Sequence, residues 1–369
     1  MKIKNSKILV MSLCAVMAFL ISACNGLFEP KYLDEGTLVF TLLQSKDGFS
    51  VKGDEKGYLV EIPAEYDGLP VREIANASFM HWNKTTQIIV PNSVKIIGER
   101  AFYACSALEE MHIPSGLVSM GSEAFLNCSK VAEFDLPQSL TKIGGGAFSG
   151  TAITEISIPG GVTSWNSYLL AYCKGLTNVT IPNTVTFLGN GLFYKCENLS
   201  SVNIPVGIEN IYPETFAYCA NLTNITIPSS VDTIDNYAFY WSGLTSINLP
   251  DTVIGLGNRV FAYCKDLATV RLPNERQNIT MELFYGCDSL VNVDFLPDTV
   301  ENIRKGSFGS CKNLVSIVIP KSVVLIENGA FEYSSKLTTI YYRGTQTEWF
   351  SIDGVDKLSD YTKVYNYTD

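Results

Sequence analysis

The sequence predicts an α/β repeat solenoid, a stack of about twelve short units sharing one parallel sheet. Three observations carry this. Twelve prolines, each after an aliphatic residue, recur at 63, 91, 114, 137, 159, 182, 205, 228, 250, 273, 297 and 320, and after a first gap of 28 every step is 22, 23 or 24 residues. A phenylalanine recurs in the same register, at 79, 102, 125, 148, 193, 216, 239, 261, 284, 308 and 331, with Leu170 filling the twelfth place. Eight cysteines, at 105, 128, 173, 196, 219, 264, 287 and 311, each stand three residues after that anchor. A fixed period of this size marks a unit that cannot bury its own apolar face and must stack on copies of itself.

Within a unit, as in Leu222-Thr-Asn-Ile-Thr-Ile-Pro228, apolar and polar residues alternate up to proline. Period two reads as a half-buried strand, and proline ends it by lacking the N–H that a ladder needs. After proline the apolar residues fall three to five apart over a short run, as in Val231, Ile234, Ala238 and Phe239, which suits turns or a single helical turn. Each unit is therefore expected to give one strand and close as a loop. At about 4.8 Å per strand, a dozen units make a rod roughly 55 to 60 Å long. The phenylalanines form one inward spoke, each ring contributing about 1.5 to 3 kcal/mol by burial.

The landmarks Ile-Pro, Ile-Gly, Ala-Phe and Cys at this period resemble the bacterial leucine-rich repeat of the BspA-like, or Treponema pallidum, type. The resemblance covers about residues 37 to 369, with Tyr58-Leu-Val-Glu-Ile-Pro63 similar to a lead-in strand and Ile340-Tyr-Tyr-Arg-Gly-Thr-Gln-Thr-Glu-Trp349 similar to a closing segment. It implies a right-handed leucine-rich repeat solenoid with its parallel sheet on the concave face, capped at both ends. The expected organisation is a cap and first repeat over 37–78, regular repeats over 79–334 and a C-terminal cap over 335–369. It also implies adhesion, the attachment of a cell to host matrix proteins or to other cells. The repeat itself is a packing code and names no ligand.

Ahead of the repeats, Lys2, Lys4 and Lys7 precede an apolar run from Ile8 to Leu20 and then Ile21-Ser-Ala-Cys24. This reads as an export signal over 1–23, too short for a comfortable permanent span. Its last four residues resemble a lipobox, which would make Cys24 the lipidated first residue of the mature protein and 24–36 a tether. Membrane attachment would then rest on lipid. An acidic chain, formal net charge −10, repels phosphate backbones, so nucleic acid is not an expected partner.

Cysteines in an exported chain raise the question of disulfides. Trp82, Thr151, Ser242 and Ser334 fill the cysteine position in other units, and stacked units would hold neighbouring Cβ atoms at strand spacing, wider than the roughly 3.5 to 4.5 Å of a bridge. Buried free thiols are the expectation. With no Cys-x-x-Cys and histidine only at 81 and 112, neither a metal nor any other cofactor is expected. His81 and His112 lie in different repeats, Gly144-Gly-Gly146 lacks the lysine of a phosphate loop, and Glu109 and Glu110 would face opposite sides of a strand, so no catalytic constellation is expected.

Period two assigns the outward strand positions, and with them the candidate ligand-binding residues. One column runs from Gln87 through Glu110, Glu133, Glu155, Asn178 and Asn224 to Ser316; the other runs from Ile89 through His112, Asp135, Thr180, Asn203, Thr226, Asn248 and Arg271 to Val318. The first third is acidic and the middle small, neutral and hydrogen-bonding, which fits a protein or glycan ligand on a host or bacterial surface, or a sheet kept soluble and nothing more. A glycan-binding or structural envelope lipoprotein is the alternative to an adhesin. A second candidate surface is a stripe of aromatic residues beside the cysteine position, among them Tyr172, Tyr218, Trp241 and Tyr263, whose bland reading is packing between turns.

Overall fold

The computed structural model describes residues 38–53, 58–274 and 278–368; the export signal, the tether and Cys24 lie outside the described residues. It is a parallel β-solenoid of about 13 turns. Strands stand where predicted in most units, but none forms before Pro137, Pro159 or Pro228. Leu59–Glu61, Gln87–Ile89 and Glu110–Met111 open a first parallel ladder. It continues through Asn178–Val179 with Ser201–Val202, Ser246–Asn248 with Thr269–Arg271, and Asn292–Val293 with Ser316–Ile319 and Thr339–Tyr342.

The expectation of one strand per unit is corrected by a second parallel ladder, built from the residues before Ile-Gly. Leu69–Ile74, Ile96–Ile97, Ser119–Met120 and Lys142–Ile143 pair in sequence, and two-residue strands recur in this position as far as Leu325–Ile326. Two residues are too few to display an alternation, so the ladder leaves no periodic signal in the sequence. Gly121 marks why adjacent turns can approach here: a Cβ on it would lie 2.4 Å from the amide nitrogen of Glu99 in the turn before.

The remaining side of each turn, around phenylalanine, is not helical. Helix is confined, among the described residues, to Gln346–Trp349 and a 3-10 turn at Val355–Leu358. Instead the residues two before and two after phenylalanine adopt left-handed backbone, as at Arg100 (φ 54°) and Ala104 (φ 55°). This aims alternate N–H groups at the next turn: Arg100, Phe102 and Ala104 donate to the carbonyls of Ser122, Ala124 and Leu126 at 2.9, 2.8 and 2.7 Å. The arcs thus form a third hydrogen-bonded column without strand geometry.

Inside, the phenylalanine rings stack from turn to turn. Phe79 and Phe102 lie 5.3 Å apart and 3° from parallel, Phe216 and Phe239 5.3 Å and 10°. Where Leu170 replaces the ring, Trp165 replaces the aliphatic residue of the Ile-Gly position in the same turn, and both are fully buried. The eight repeat cysteines are free and buried. Each thiol donates to the carbonyl of the anchor residue one turn back, for example Cys196 Sγ to Leu170 O at 3.0 Å and Cys219 Sγ to Phe193 O at 3.3 Å. Ser334 makes the same bond to Phe308 O at 2.7 Å, whereas Thr151 donates to Phe148 O of its own turn and Ser242 meets the Cys264 thiol.

Both ends are covered. Leu38–Leu42 pairs antiparallel with Phe49–Gly53, which joins the second ladder against Leu69–Ile74. At the other end Thr362–Val364 closes the first ladder. The short helix there is started by a capping box between Thr345 and Glu348 and buries Trp349.

Candidate functional site

The first ladder presents the predicted outward columns as one face. Glu110, His112, Glu133, Asp135, Glu155, Asn178, Thr180, Asn203, Asn224, Thr226, Asn248 and Arg271 are all exposed. Val318 is not: it is 6% exposed, in the strand Ser316–Ile319, where it stands in register with Tyr341 of the next strand. Gln87 and Ser316 are half-buried. Glu133, Asp135, Glu155, Asn224 and Thr226 sit in turns where strand pairing lapses. After the first gap of 28, which the ladder bridges, the three proline steps that depart from 23 residues, at 137–159, 228–250 and 273–297, all fall at such interruptions of this ladder.

The face is not uniform in what its side chains do. Asn203 serves the backbone: its Oδ1 accepts from Ile181 N at 2.7 Å and its Nδ2 donates to Ile181 O at 2.9 Å, replacing a ladder pair across one turn. Arg271 is likewise pinned, donating to Leu249 O and to Asp251 at 3.0 Å. Asp251 in turn is held below the usual carboxylate range by the Asn274 amide and the Arg271 guanidinium. By contrast Asn178 and Asn224 donate only to the neighbouring hydroxyls of Thr177 and Thr223, at 3.2 and 3.3 Å. These two are free to turn toward a partner. A shallow depression lies between Thr226, Asn248 and Arg271. The acidic third is a row of Glu110, Glu133, Asp135 and Glu155, with Gln87 donating to Glu110 at 3.3 Å.

The aromatic stripe belongs to the arcs. Two columns of side chains interdigitate there: Tyr194, Tyr240 and Tyr285 directly follow phenylalanine, and Tyr172, Tyr218, Trp241 and Tyr263 come one residue later. Rings of the two columns meet edge to face at 5.3 to 5.5 Å, from Tyr172–Tyr194 to Tyr263–Tyr285. Within the second column Trp241 and Tyr263 stack at 5.1 Å and 17°. The rings do pack between turns, yet Tyr172 and Trp241 remain 44% and 37% exposed. Tyr168 donates to Glu214 at 3.0 Å across Gly191, and burial together with that carboxylate pushes its hydroxyl up to about 12. Gly191 has φ 57°, and a Cβ on it would lie 2.2 Å from the Tyr168 ring.

Two members of this surface escape a reading of aromatic residues alone. Lys195 takes the place of a ring between Tyr172 and Tyr218, its ammonium 5.3 to 5.5 Å from the centroids of Tyr172, Tyr194 and Tyr218. Lys265 lies 4.5 Å from the Trp241 centroid. The available signal is the alternation after the anchor, Ala171-Tyr172, Tyr194-Lys195, Ala217-Tyr218, Tyr240-Trp241, Ala262-Tyr263: a small residue and a ring trade places every turn. Among the described residues no group of three ligating side chains could hold a metal ion, and no helix is long and apolar enough to cross a membrane.

A model of the BspA type leucine rich repeat region, in six copies, matches residues 67–177, 163–291 and 232–351. No curated protein matches the sequence. Among solved structures, a leucine-rich repeat protein from Bacteroides ovatus is 27% identical, with a TM-score of 0.72 over 90% of this chain and 98% of its own. A leucine rich cell surface protein from Faecalibacterium prausnitzii is 26% identical, with a TM-score of 0.64 over 87% of this chain and 97% of its own. The pneumococcal vaccine antigen PcpA shares the fold at 20% identity, with a TM-score of 0.61 over 85% of this chain and 87% of its own.

Proposed function

The chain belongs to the BspA-type leucine-rich repeat family, and from that premise we propose that it is a non-catalytic, adhesin-like surface lipoprotein that binds a protein on a host or bacterial surface through its first-ladder face. The observation that carries this reading is the face itself. It is a long row of exposed, mostly small polar side chains on a stacked backbone whose strand pairing is interrupted in places, with side-chain groups such as those of Asn178 and Asn224 not bonded to the backbone. Such a surface loses little side-chain entropy on association. The likeness to a bacterial cell surface protein supports the location. Anchorage is assigned to lipid on Cys24, and fatty-acid label retained by a Cys24→Ala variant would refute that assignment.

The test uses Asn178→Arg and Asn224→Arg together, in a binding assay against immobilised host matrix and bacterial surface proteins. Binding to an identified ligand should fall about tenfold or more, with unfolding free energy moved by about 0.5 kcal/mol or less, as for exposed positions generally. Asn203 and Arg271 are unsuitable for this purpose, because changing them removes backbone contacts as well. A double variant that binds as tightly as the parent would move the site off this face.

A further inference from the structure

We propose that the aromatic strip along the arcs, from Tyr172 to Tyr285, is a second binding surface, and that it takes a linear acidic polysaccharide. The proposal does not depend on the first-ladder reading, since the two surfaces share no residue. Its basis is what the packing leaves pointing outward. Because Trp241 and Tyr263 cover each other's faces and Tyr194, Tyr240 and Tyr285 wedge between rings, the strip offers ring edges and polar tips, not open faces. An aromatic ring is electropositive at its edge. Hydroxyl groups and the indole N–H add donors along the same line.

Lys195 and Lys265 set the sign of the charge. Both ammonium groups lie against rings, and neither forms an ion pair among the described residues. Three of the carboxylates flanking the strip are engaged, Glu214 by the Tyr168 hydroxyl, Glu197 by Lys174 at 2.8 Å and Glu282 by two nitrogens of Arg259 at 2.7 Å, while Asp266, next to Lys265 in sequence, is exposed. On a protein of net negative charge, this is a strip of donors with uncommitted positive charge.

The same geometry argues against other occupants. A neutral glycan recognised by stacking needs an exposed ring face, and the faces that Tyr218, Trp241 and Tyr263 turn to one another are not available for it. An added peptide strand needs unpaired backbone, yet the arcs donate N–H to carbonyl from turn to turn along the whole strip, as Tyr218 N does to Tyr240 O and Tyr263 N to Tyr285 O. A chain of sugars with anionic groups needs only side-chain donors and cations on a long, even surface, and that is what the strip supplies.

The experiment is affinity electrophoresis of the full-length chain in mild detergent through gels containing polygalacturonate, dextran sulfate, neutral dextran or polyglutamate. Retardation by one or both acidic polysaccharides and not by dextran is expected, weakening as salt rises from about 20 mM to about 300 mM. Lys195→Gln with Lys265→Gln should weaken it about tenfold or more. The corresponding arginine pair should restore it, which separates lost charge from lost packing. An Asn178→Ala, Asn224→Ala variant should be retarded like the parent, so failure of the first-ladder reading would be visible separately. The polygalacturonate arm against the dextran sulfate arm distinguishes carboxylate from sulfate as the anionic group. No retardation by either acidic polysaccharide, equal retardation by neutral dextran or polyglutamate, or an unaffected glutamine pair would overturn the proposal.

Discussion

At the scale of single residues, the cysteine column has a structural meaning that composition alone does not convey. A buried thiol pointing at the carbonyl of the anchor one turn back satisfies an acceptor that strand and arc pairing leave over, and Ser334 does the same with a shorter bond. Replacing Cys196 by serine should therefore cost less than about 1 kcal/mol, whereas Cys196→Val, similar in size but without a donor, should cost about 1 to 2 kcal/mol by leaving Leu170 O with only its long bond from Cys173 N at 3.4 Å. Urea denaturation of the two variants tests the order. The thiols also predict a pH dependence. Burial pushes Cys173 up to about 11 and Cys264 and Cys311 to about 12, against about 8.5 in an unfolded chain. Above the unfolded value the denatured state releases protons that the native state keeps, so this contribution to stability is complete below about pH 8.5 and is lost as pH rises toward 11. The urea midpoint should fall between about pH 8 and pH 10, and less so in Cys264→Ser. An equal fall in the variant would locate the titration elsewhere. For the same reason, alkylation of the native protein at neutral pH should leave the repeat thiols unlabelled.

At the scale of the element, each turn balances its volume internally. Leu170 and Trp165 are the clearest case, a smaller anchor and a larger ladder residue in the one turn where both consensus positions change. Trp165→Leu should open a cavity and cost about 2 to 4 kcal/mol, moderated because the indole Nε1 has no hydrogen-bond partner among the described residues. Leu170→Phe alone should overpack by about 1 to 3 kcal/mol. Combined, they recreate the composition of the neighbouring turns, so a double-mutant cycle should give a favourable coupling of about 1 kcal/mol or more. Additive losses would mean the two positions are filled independently. The same scale explains what a reading of the sequence could and could not reach. Strands before proline, the inward phenylalanine spoke and the thiol position all repeat in fixed register, and each was legible. The second ladder was not, since two residues such as Ile96 and Ile97 carry no period. Nor could alternation tell that Asn203 bonds back to Ile181 while Asn178 does not, because both occupy outward positions and only the spacing of adjacent turns separates them. Val318 was read as outward by parity, yet its strand buries three residues in succession, which alternation does not anticipate.

For the whole molecule, the direction of the arc hydrogen bonds matters most. In every regular turn the left-handed residues and the phenylalanine between them donate toward the C-terminal neighbour: Tyr168, Leu170 and Tyr172 to 190, 192 and 194, and so on to Gly306, Phe308 and Ser310, which reach Gly329, Ala330 and Glu332. The array is therefore polar along its axis. Its last arc has no successor, and the amides of Gly329, Phe331 and Tyr333 meet no backbone carbonyl among the described residues. The C-terminal segment shields this end by packing instead of pairing, with Tyr361 edge-on to Phe331 at 6.2 Å and Phe331 itself 3% exposed. A stack in which each unit contacts only its neighbours opens most readily at its ends, and least where both neighbours are present. Native-state hydrogen exchange should accordingly be slowest for the central arc amides, such as Phe216, Tyr218 and Phe239, and fast for Gly329 and Tyr333. Phe331 should fall between, being buried yet unpaired. Removing Tyr361 as a cover, by Tyr361→Ala, should accelerate exchange at Phe331 and Phe308 while leaving Phe216 unchanged. If that substitution speeds exchange equally along the rod, the molecule opens as one cooperative block and the unit-by-unit account of its stability is wrong.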